Sequence, residues 1–403
     1  MTRTRTAIII GGGIAGPTAA LALHRAGIDA TVYEAHTTGA DGVGAFLTLA
    51  ANGIDALRVI DADEGALAAG FATPTITLRS CSGKRRGEAR TGGTLADGTV
   101  SHTLKRGDLY RALHRAAAAR DIRVELGRRL VAAESNGVGV RARFADGREA
   151  RADMLIGCDG INSTVRRIVD PRAPQPTYAG LLNTGGYARG VQVNSTPGGY
   201  EMIFGKRAFF GYAAAPTGQV WWFANLPHRQ EPTSEELAEA AGERLRHRLL
   251  ELFANDAGPA TALIEATPEL TRTHPIHTVS HLPLWQQERM IVLGDAAHAP
   301  SPSSGQGASL AIEDAVLLAK CLQQAAATEE AFARLEALRR PRVKRIIKWA
   351  ARVNSSKAAG PVGRAIRDAV MPTVLRLTAD NKAQRQIHDY RIDWDPGAPD
   401  TTH

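Results

Sequence analysis

"TAIIIGGGIAGPTAALALHRAG", residues 6–27, follows a short basic opening and at first reads like an export leader. Its grammar is different. Ala7 to Ile10 form a short buried strand, three glycines make a turn, and a helix runs from about Ala15 to Arg25. Gly27 then serves as its stop. A second strand, Ala30 to Tyr33, closes on Glu34. A membrane helix needs about 20 strongly apolar residues, and the glycines, Pro17, His24 and Arg25 break this run early. The stretch is a βαβ unit.

Gly11, Gly13 and Gly16 have the G-x-G-x-x-G spacing. The first permits a tight turn, the second lets backbone approach a pyrophosphate, and the third lets helix and strand pack closely. Open N–H groups and the helix dipole favour a diphosphate at the helix start. Glu34 lies where a carboxylate accepts the hydroxyls of an adenosine ribose. Its charge rejects a 2′-phosphate, so NADPH does not belong in this site. The fingerprint alone does not separate NAD from FAD.

The chain has 403 residues, enough for one large or two ordinary domains. It is 44% hydrophobic and 22% charged, a globular balance. The net charge is +8, with a sequence pI of about 9.6. Arginines such as Arg339, Arg340 and Arg342 are scattered and read as a solvated surface rather than a nucleic-acid groove. Some of this charge would attract phosphorylated cofactors. Cys81, Cys158 and Cys321 are far apart, which suggests neither a disulfide framework nor zinc. No metal site is expected, and the reducing cytoplasm is the expected compartment.

Two further stretches narrow the choice. "DMLIGCDGINSTVRR", residues 153–167, is a buried strand running into Asp159-Gly160, with Ser163 and Arg166 opening a helix. "MIVLGDAAHAPSPSSGQGASLAIEDAVLLAKCL", residues 290–322, is another strand running into Gly294-Asp295, then a Pro- and Ser-rich turn and a long apolar helix. The motifs GGGIAG (11–16), CDGINSTVR (158–166) and GDAAHAPSPSSGQG (294–307) occur in this order. With them the chain resembles the class A FAD-dependent monooxygenases, which are built like para-hydroxybenzoate hydroxylase. In particular it resembles their short single-unit members, such as salicylate and hydroxybenzoate hydroxylases and the tetracycline-inactivating monooxygenases.

The resemblance implies an α/β fold: a Rossmann-like FAD domain of the glutathione-reductase type, an inserted, mostly antiparallel β-sheet domain and C-terminal helices. It places Gly11, Gly13, Ile14, Ala15, Gly16, Glu34 and Ala35 on the adenosine diphosphate half of FAD. Asp295 would bond the ribityl chain, and Arg106 in "LKRGDLYRAL" would lie near the phosphates. Asp159 would help seat FAD and a transient nicotinamide cofactor. Leu130 would offer backbone to the adenine, and Ala45 would sit near the flavin edge. Pro302, Gly305, Gly307 and Ala308 would lie against the flavin, with the helix start stabilising its reduced, anionic form. Two positions depart from relatives: Ala35 stands where several carry Arg, and Ser303 where some carry Phe.

Residues 1–75, 100–170 and 275–355 read as strand–helix alternation and would assemble a discontinuous FAD domain. Residues 76–99 and 171–274 would form the substrate domain, and 356–403 a C-terminal helical segment and tail. Seven aromatic residues fall between Phe204 and Phe223. Alternation puts Trp222 on one strand face with Val220 and Ala224, and Trp221 and Phe223 on the other. Phe210, Tyr212 and Trp222 are the expected substrate-pocket rings. "TSEELAEAAGERLRHRLLELF" (233–253) reads as one helix, capped by Thr233 or Ser234.

The implied activity is an FAD-dependent, NADH- or NADPH-consuming monooxygenase. It would transfer one atom of O₂, through a C4a-hydroperoxyflavin, to an aromatic or polycyclic substrate. Stretches such as "RAAAAR" (115–120) suggest a GC-rich genome and a setting such as antibiotic biosynthesis. The chemistry is flavin-borne, so no catalytic side chain is assigned, although His102, His274, His277 and His298 are possible bases. No second glycine fingerprint follows a strand, so the reductant binds transiently. No nucleic acid or membrane span is expected, and the chain would be a monomer or homodimer. The alternatives are a related reductase, oxidase or halogenase-like flavoenzyme, or a non-catalytic FAD-bearing redox sensor.

Overall fold

The structure, a computed structural model, describes residues 5–38, 45–357, 363, 366, 369, 370, 373 and 386–395. The strand Thr6–Ile10 is flanked on both sides by parallel neighbours, Asp29–Tyr33 and Met154–Gly157. Arg123–Glu125 extends this sheet beyond the first, and Met290–Val292 beyond the second, both in parallel. A two-residue antiparallel strand, Gln286–Gln287, ends it. A parallel sheet is covered on both faces and needs continuous apolar strands. Ile8, Ile9 and Ile10, and Leu155 and Ile156, supply that and are buried. The chain leaves the first strand through Gly11, whose φ of +104° suits glycine. A Cβ at Gly16 would fall 1.9 Å from the carbonyl oxygen of Gly11, so the helix Ala15–Arg25 packs on its own turn only with glycine there.

The long helix Gly307–Gln324 is buried almost all round and packs against Ala15–Arg25 and Ala51–Val59. Residues 130–152 depart from the expected strand–helix alternation. They form an antiparallel meander of Leu130–Ser135, Val140–Phe144 and Glu149–Ala152. In its middle strand Val140, Ala142 and Phe144 are buried while Arg141 and Arg143 are exposed, a period of two that excludes a helix.

A seven-stranded sheet forms the second layer. Its order is His274–Thr278, Thr177–Ala188, Val220–Pro227, Phe209–Ala214, Tyr200–Phe204, Thr75–Ser80 and Arg85–Arg90. All neighbours are antiparallel except Tyr200–Phe204 with Thr75–Ser80. One face packs on the helices Glu243–Phe253 and Ala260–Glu265. Trp222 stacks on Phe210 at 5.2 Å, and its indole N–H donates to Thr267 Oγ1 at 2.7 Å. Phe210, Tyr212 and Trp222 therefore fill this outer core rather than a substrate pocket. Strand alternation had two faces to offer, and the helices cover this one.

The expected single helix over 233–253 is two, Ser234–Glu239 and Glu243–Phe253. They part at Gly242, whose φ is +63°. Thr233 caps the first through a reciprocal pair of hydrogen bonds with Glu236. The helix Thr328–Lys357 continues through Pro341. Most of the expected C-terminal segment, 356–403, lies outside the described residues. The described stretch 386–395 packs back on the body through buried Ile387 and Ile392. No described helix is long and apolar enough to cross a membrane.

Replacing Trp222 with Ala removes a fully buried ring stack and the indole hydrogen bond to Thr267. It should cost about 3–5 kcal/mol of stability in urea unfolding, with a smaller loss for Trp222→Phe, which keeps the stack.

Candidate active site

The three motifs end side by side. The carbonyl of Cys158 would lie 2.3 Å from a Cβ on Gly11, so the second motif presses directly on the glycine turn. Glu34 is buried at the end of its strand. Its carboxylate accepts the N–H of Gly12 at 2.7 Å and that of His36 at 2.8 Å. Ala35 lies half-buried between them. Gly13 is bare: the nearest atom to a Cβ there would be Arg106 Nη2, 4.0 Å away. Ile14 precedes the helix without a side-chain cap, and Ala15 is buried. Arg106 opens the helix Arg106–Ala118, and its N–H donates to the carbonyl of Ala45 at 3.1 Å. Burial pulls its guanidinium pKa down, and Asp295 opposes this. His114 on the same helix contacts the carbonyl of Gly12 at 2.8 Å.

Asp295 stands on a one-turn 3₁₀ segment, Gly294–Ala296. It opens on the groove yet is ringed by protein. Burial pushes its carboxyl pKa up, while His298 and Arg106 pull it down. Asp159 turns the other way. Its carboxylate accepts from Ser163 Oγ at 2.5 Å and from the N–H groups of Thr164 and Val165 at 2.7 and 3.1 Å. Burial raises its pKa, opposed chiefly by the bond from Ser163. Asp159 thus fixes the start of the helix Thr164–Val169, while its backbone abuts Gly11. Arg166, fully buried, donates to the carbonyls of Ile161 and Ala296 and so ties the second motif to the third.

Beyond Asp295, Pro302–Ser304 makes a further 3₁₀ turn and Gly305 adopts φ +60°. A Cβ on Gly305 or Gly307 would meet nothing within 4 Å. Pro302 is exposed, and Ala308 is half-buried. The helix that begins at Gly307 has no side-chain cap and no acid in its first turn. Its amides and dipole therefore face the groove uncompensated. Leu130 is buried beside the stacked rings of Tyr33 and Phe144, two residues after Arg128, whose N–H donates to the carbonyl of Glu34.

Behind this turn lies a buried charge cluster that the sequence reading missed. Asp314 Oδ2 accepts the N–H of Gly294 at 3.0 Å and contacts His298 Nε2 at 2.6 Å. Its Oδ1 accepts from Arg339 Nε at 2.6 Å. Glu313 is gripped by Arg342 through two bonds of 2.8 and 2.9 Å and by Arg339 at 2.7 Å. Asn52 links Glu313 to Gln306, and Gln306 contacts His388 Nδ1. Both carboxyls are held below their usual range despite burial, by Arg342 and Arg339 at Glu313 and by His298 and Arg339 at Asp314. Arg339 and Arg342 are therefore not part of a solvated surface. The one legible signal was the adjacent acid pair inside an apolar helix.

Of the other candidate bases, His274 and His277 lie on the outermost strand of the large sheet, His277 beside Glu231. His102 bonds the carbonyl of Val100. Among the described residues no group of His, Cys, Asp and Glu could hold a metal. A cavity of about 170 Å³, lined by residues such as Leu182, Leu226 and Leu237, lies on the outer face of the sheet and gathers no motif residue.

The groove suits a long diphosphate-bridged cofactor: bare glycine backbone at 13, 305 and 307, a carboxylate at the Glu34 end, and a cation at Arg106 with Asp295 near its middle. Residues 3–350 match the family described as FAD binding domain. The chain belongs to this family and is an FAD-dependent monooxygenase. It is similar to the aurachin C monooxygenase/isomerase of Stigmatella aurantiaca, 33% identical over 340 residues, 83% of this chain and 85% of that one. It is also 33% identical over 352 residues to the FAD-dependent urate hydroxylase of Klebsiella pneumoniae, covering 85% and 87% of the two chains. The crystal structure of Klebsiella pneumoniae HpxO complexed with FAD and uric acid superposes with a TM-score of 0.81 at 25% identity, over 96% of each chain.

Two outcomes follow from the cluster. Arg339→Met leaves two buried carboxylates underpaired and should lower stability by about 3–5 kcal/mol in denaturant melts. Burial, with Arg342, lowers His388 to about 4 from its ordinary 6.5. Between these values the unfolded chain holds a proton that the folded one lacks. Stability should therefore be full above pH 6.5 and decline as pH falls toward 4, and His388→Gln should flatten that slope in melts across the range.

Proposed function

We propose that this flavoenzyme consumes NADH or NADPH and places one oxygen atom of O₂ on an aromatic or polycyclic ring. The observation that carries the reading is the convergence of three distant segments on one groove, with Arg106 and Asp295 at its middle. In this reading Glu34 holds the adenosine ribose, with Ala35 and the backbone of Leu130 beside the adenosine. The amides of Gly13 to Gly16, including Ile14 and Ala15, hold the diphosphate with Arg106, while Gly11, whose own N–H donates to the carbonyl of Tyr33, shapes the turn. Asp295 bonds the ribityl chain. Asp159 acts by positioning, since its carboxylate is spent on its own helix. Ala45, Pro302, Gly305, Gly307 and Ala308 border the ring system.

Bound FAD supplies the redox chemistry, accepting hydride and activating oxygen. The protein supplies orientation and a field. The open start of the helix at Gly307 offers N–H donors and positive potential where negative charge develops on reduction. Glu34 disfavours a 2′-phosphate in the fingerprint site, so NADPH would have to dock elsewhere and leave. Relatives named for urate and for 6-hydroxynicotinate support a planar ring as substrate. Cys81, Cys158 and Cys321 form no disulfide, which fits a cytoplasmic setting.

The purified protein should carry FAD, oxidise NAD(P)H faster with a suitable ring compound, and transfer label from ¹⁸O₂ to the product. Label absent from every product while reductant is consumed would defeat the reading. Asp295→Ala and Arg106→Ala should each weaken FAD binding about 10- to 100-fold by equilibrium dialysis, the loss expected for a charged hydrogen-bond partner.

A further inference from the structure

We propose that Lys105 is a specificity residue that selects planar aromatic substrates carrying a negative charge; this rests on the function proposed above. The small antiparallel sheet Phe46–Leu49, His102–Lys105 and Gly70–Ala72 faces the inner side of the seven-stranded sheet. Phe46 and Lys105 are cross-strand partners and share one face. Phe46 lies 5.8 Å from Trp221, 6.1 Å from Phe223 and 6.5 Å from Tyr200. The ammonium of Lys105 sits 4.7 Å from the ring of Tyr187 and 5.5 Å from that of Trp221. The two sheets thus meet along an aromatic wall with one ammonium against it. Phe46, Phe223, Tyr187 and Lys105 remain partly accessible, so this wall is not sealed core.

The aromatic wall adjoins the cofactor groove through consecutive residues. Ala45 and Arg106 are joined by a backbone bond, and Phe46 and Lys105 are the next pair inward. Charge is lopsided along this wall. Among the described residues Lys105 has ring contacts and no carboxylate partner. The nearby acid Asp108 pairs with Arg111. Glu201, on the large sheet, points to the opposite face with Arg79. A cation held over aromatic faces, with water partly excluded, is stabilised by them. It gains more from an anionic oxygen on a ring stacked beside it. A phenolate, enolate or ring carboxylate meets both requirements.

The test uses FAD-loaded protein and three probes: salicylate, its neutral amide salicylamide, and the non-aromatic anion cyclohexanecarboxylate. Binding is read from the flavin absorbance change. Wild type should bind salicylate about tenfold or more tighter than salicylamide, as a charged hydrogen-bond partner implies, and tighter than cyclohexanecarboxylate. Lys105→Gln should abolish the acid-over-amide preference with FAD content unchanged, and Lys105→Arg should restore it. The proposal falls if wild type binds acid and amide equally, if Lys105→Gln keeps the preference, or if no probe perturbs the flavin. Loss of preference in Lys105→Gln alongside an unlabelled product from ¹⁸O₂ would sink the oxygenase reading and leave anion selection standing.

Discussion

Asp314 has no access to water, and the groove depends on what it holds. One of its oxygens takes the amide of Gly294 and the ring of His298; the other takes Arg339. The turn that presents Asp295 is thereby pinned to a helix that begins some thirty residues later. An unpaired buried carboxylate costs several kcal/mol, and a fully paired one roughly breaks even. The cluster therefore adds little net stability. What it enforces is one arrangement, because any slip of the turn leaves a charge exposed to an apolar interior. Glu313 extends the same control through Asn52 to Gln306, the residue just before the helix start that borders the groove.

Much of the architecture was readable because it obeys local rules. The first βαβ unit is written in consecutive residues: aliphatics, three spaced glycines, a helix, a second strand. Gly16 is needed against the carbonyl of Gly11, a few residues away, so spacing betrays it; the close approach that needs Gly11 is to distant Cys158. The burial of Arg339 and Arg342 was not readable. Their partners lie 25 and 29 residues away, and nothing in a scattered arginine distinguishes a buried one. Strand alternation separated Trp222 from Trp221 correctly but held no information on which face the helices would cover. Gly242 shows a similar limit: helical periodicity on both sides concealed a break that only backbone geometry displays.

The step from Lys105 to Arg106 joins the two halves of the site. Lys105 ends a strand and Arg106 begins a helix, so adjacent side chains diverge. One cation goes to the glycine turn and the other to the rings between the sheets. A single change of secondary structure thus sets cofactor groove and aromatic wall in fixed relation, with no flexible linker between them.

The order of strands has a consequence for synthesis on the ribosome. Thr6–Ile10 is made before both of its neighbours, and one of them, Met154–Gly157, lies about 150 residues downstream. At ordinary elongation rates that interval lasts roughly 7–30 s. Throughout it Ile8, Ile9 and Ile10 line an unfinished sheet edge. The carbonyls of Gln386 and Ile387 that cap Arg342 emerge later still. The nascent chain can therefore complete its nucleotide turn early but cannot finish the flavin end until Gln386 and Ile387 have been made.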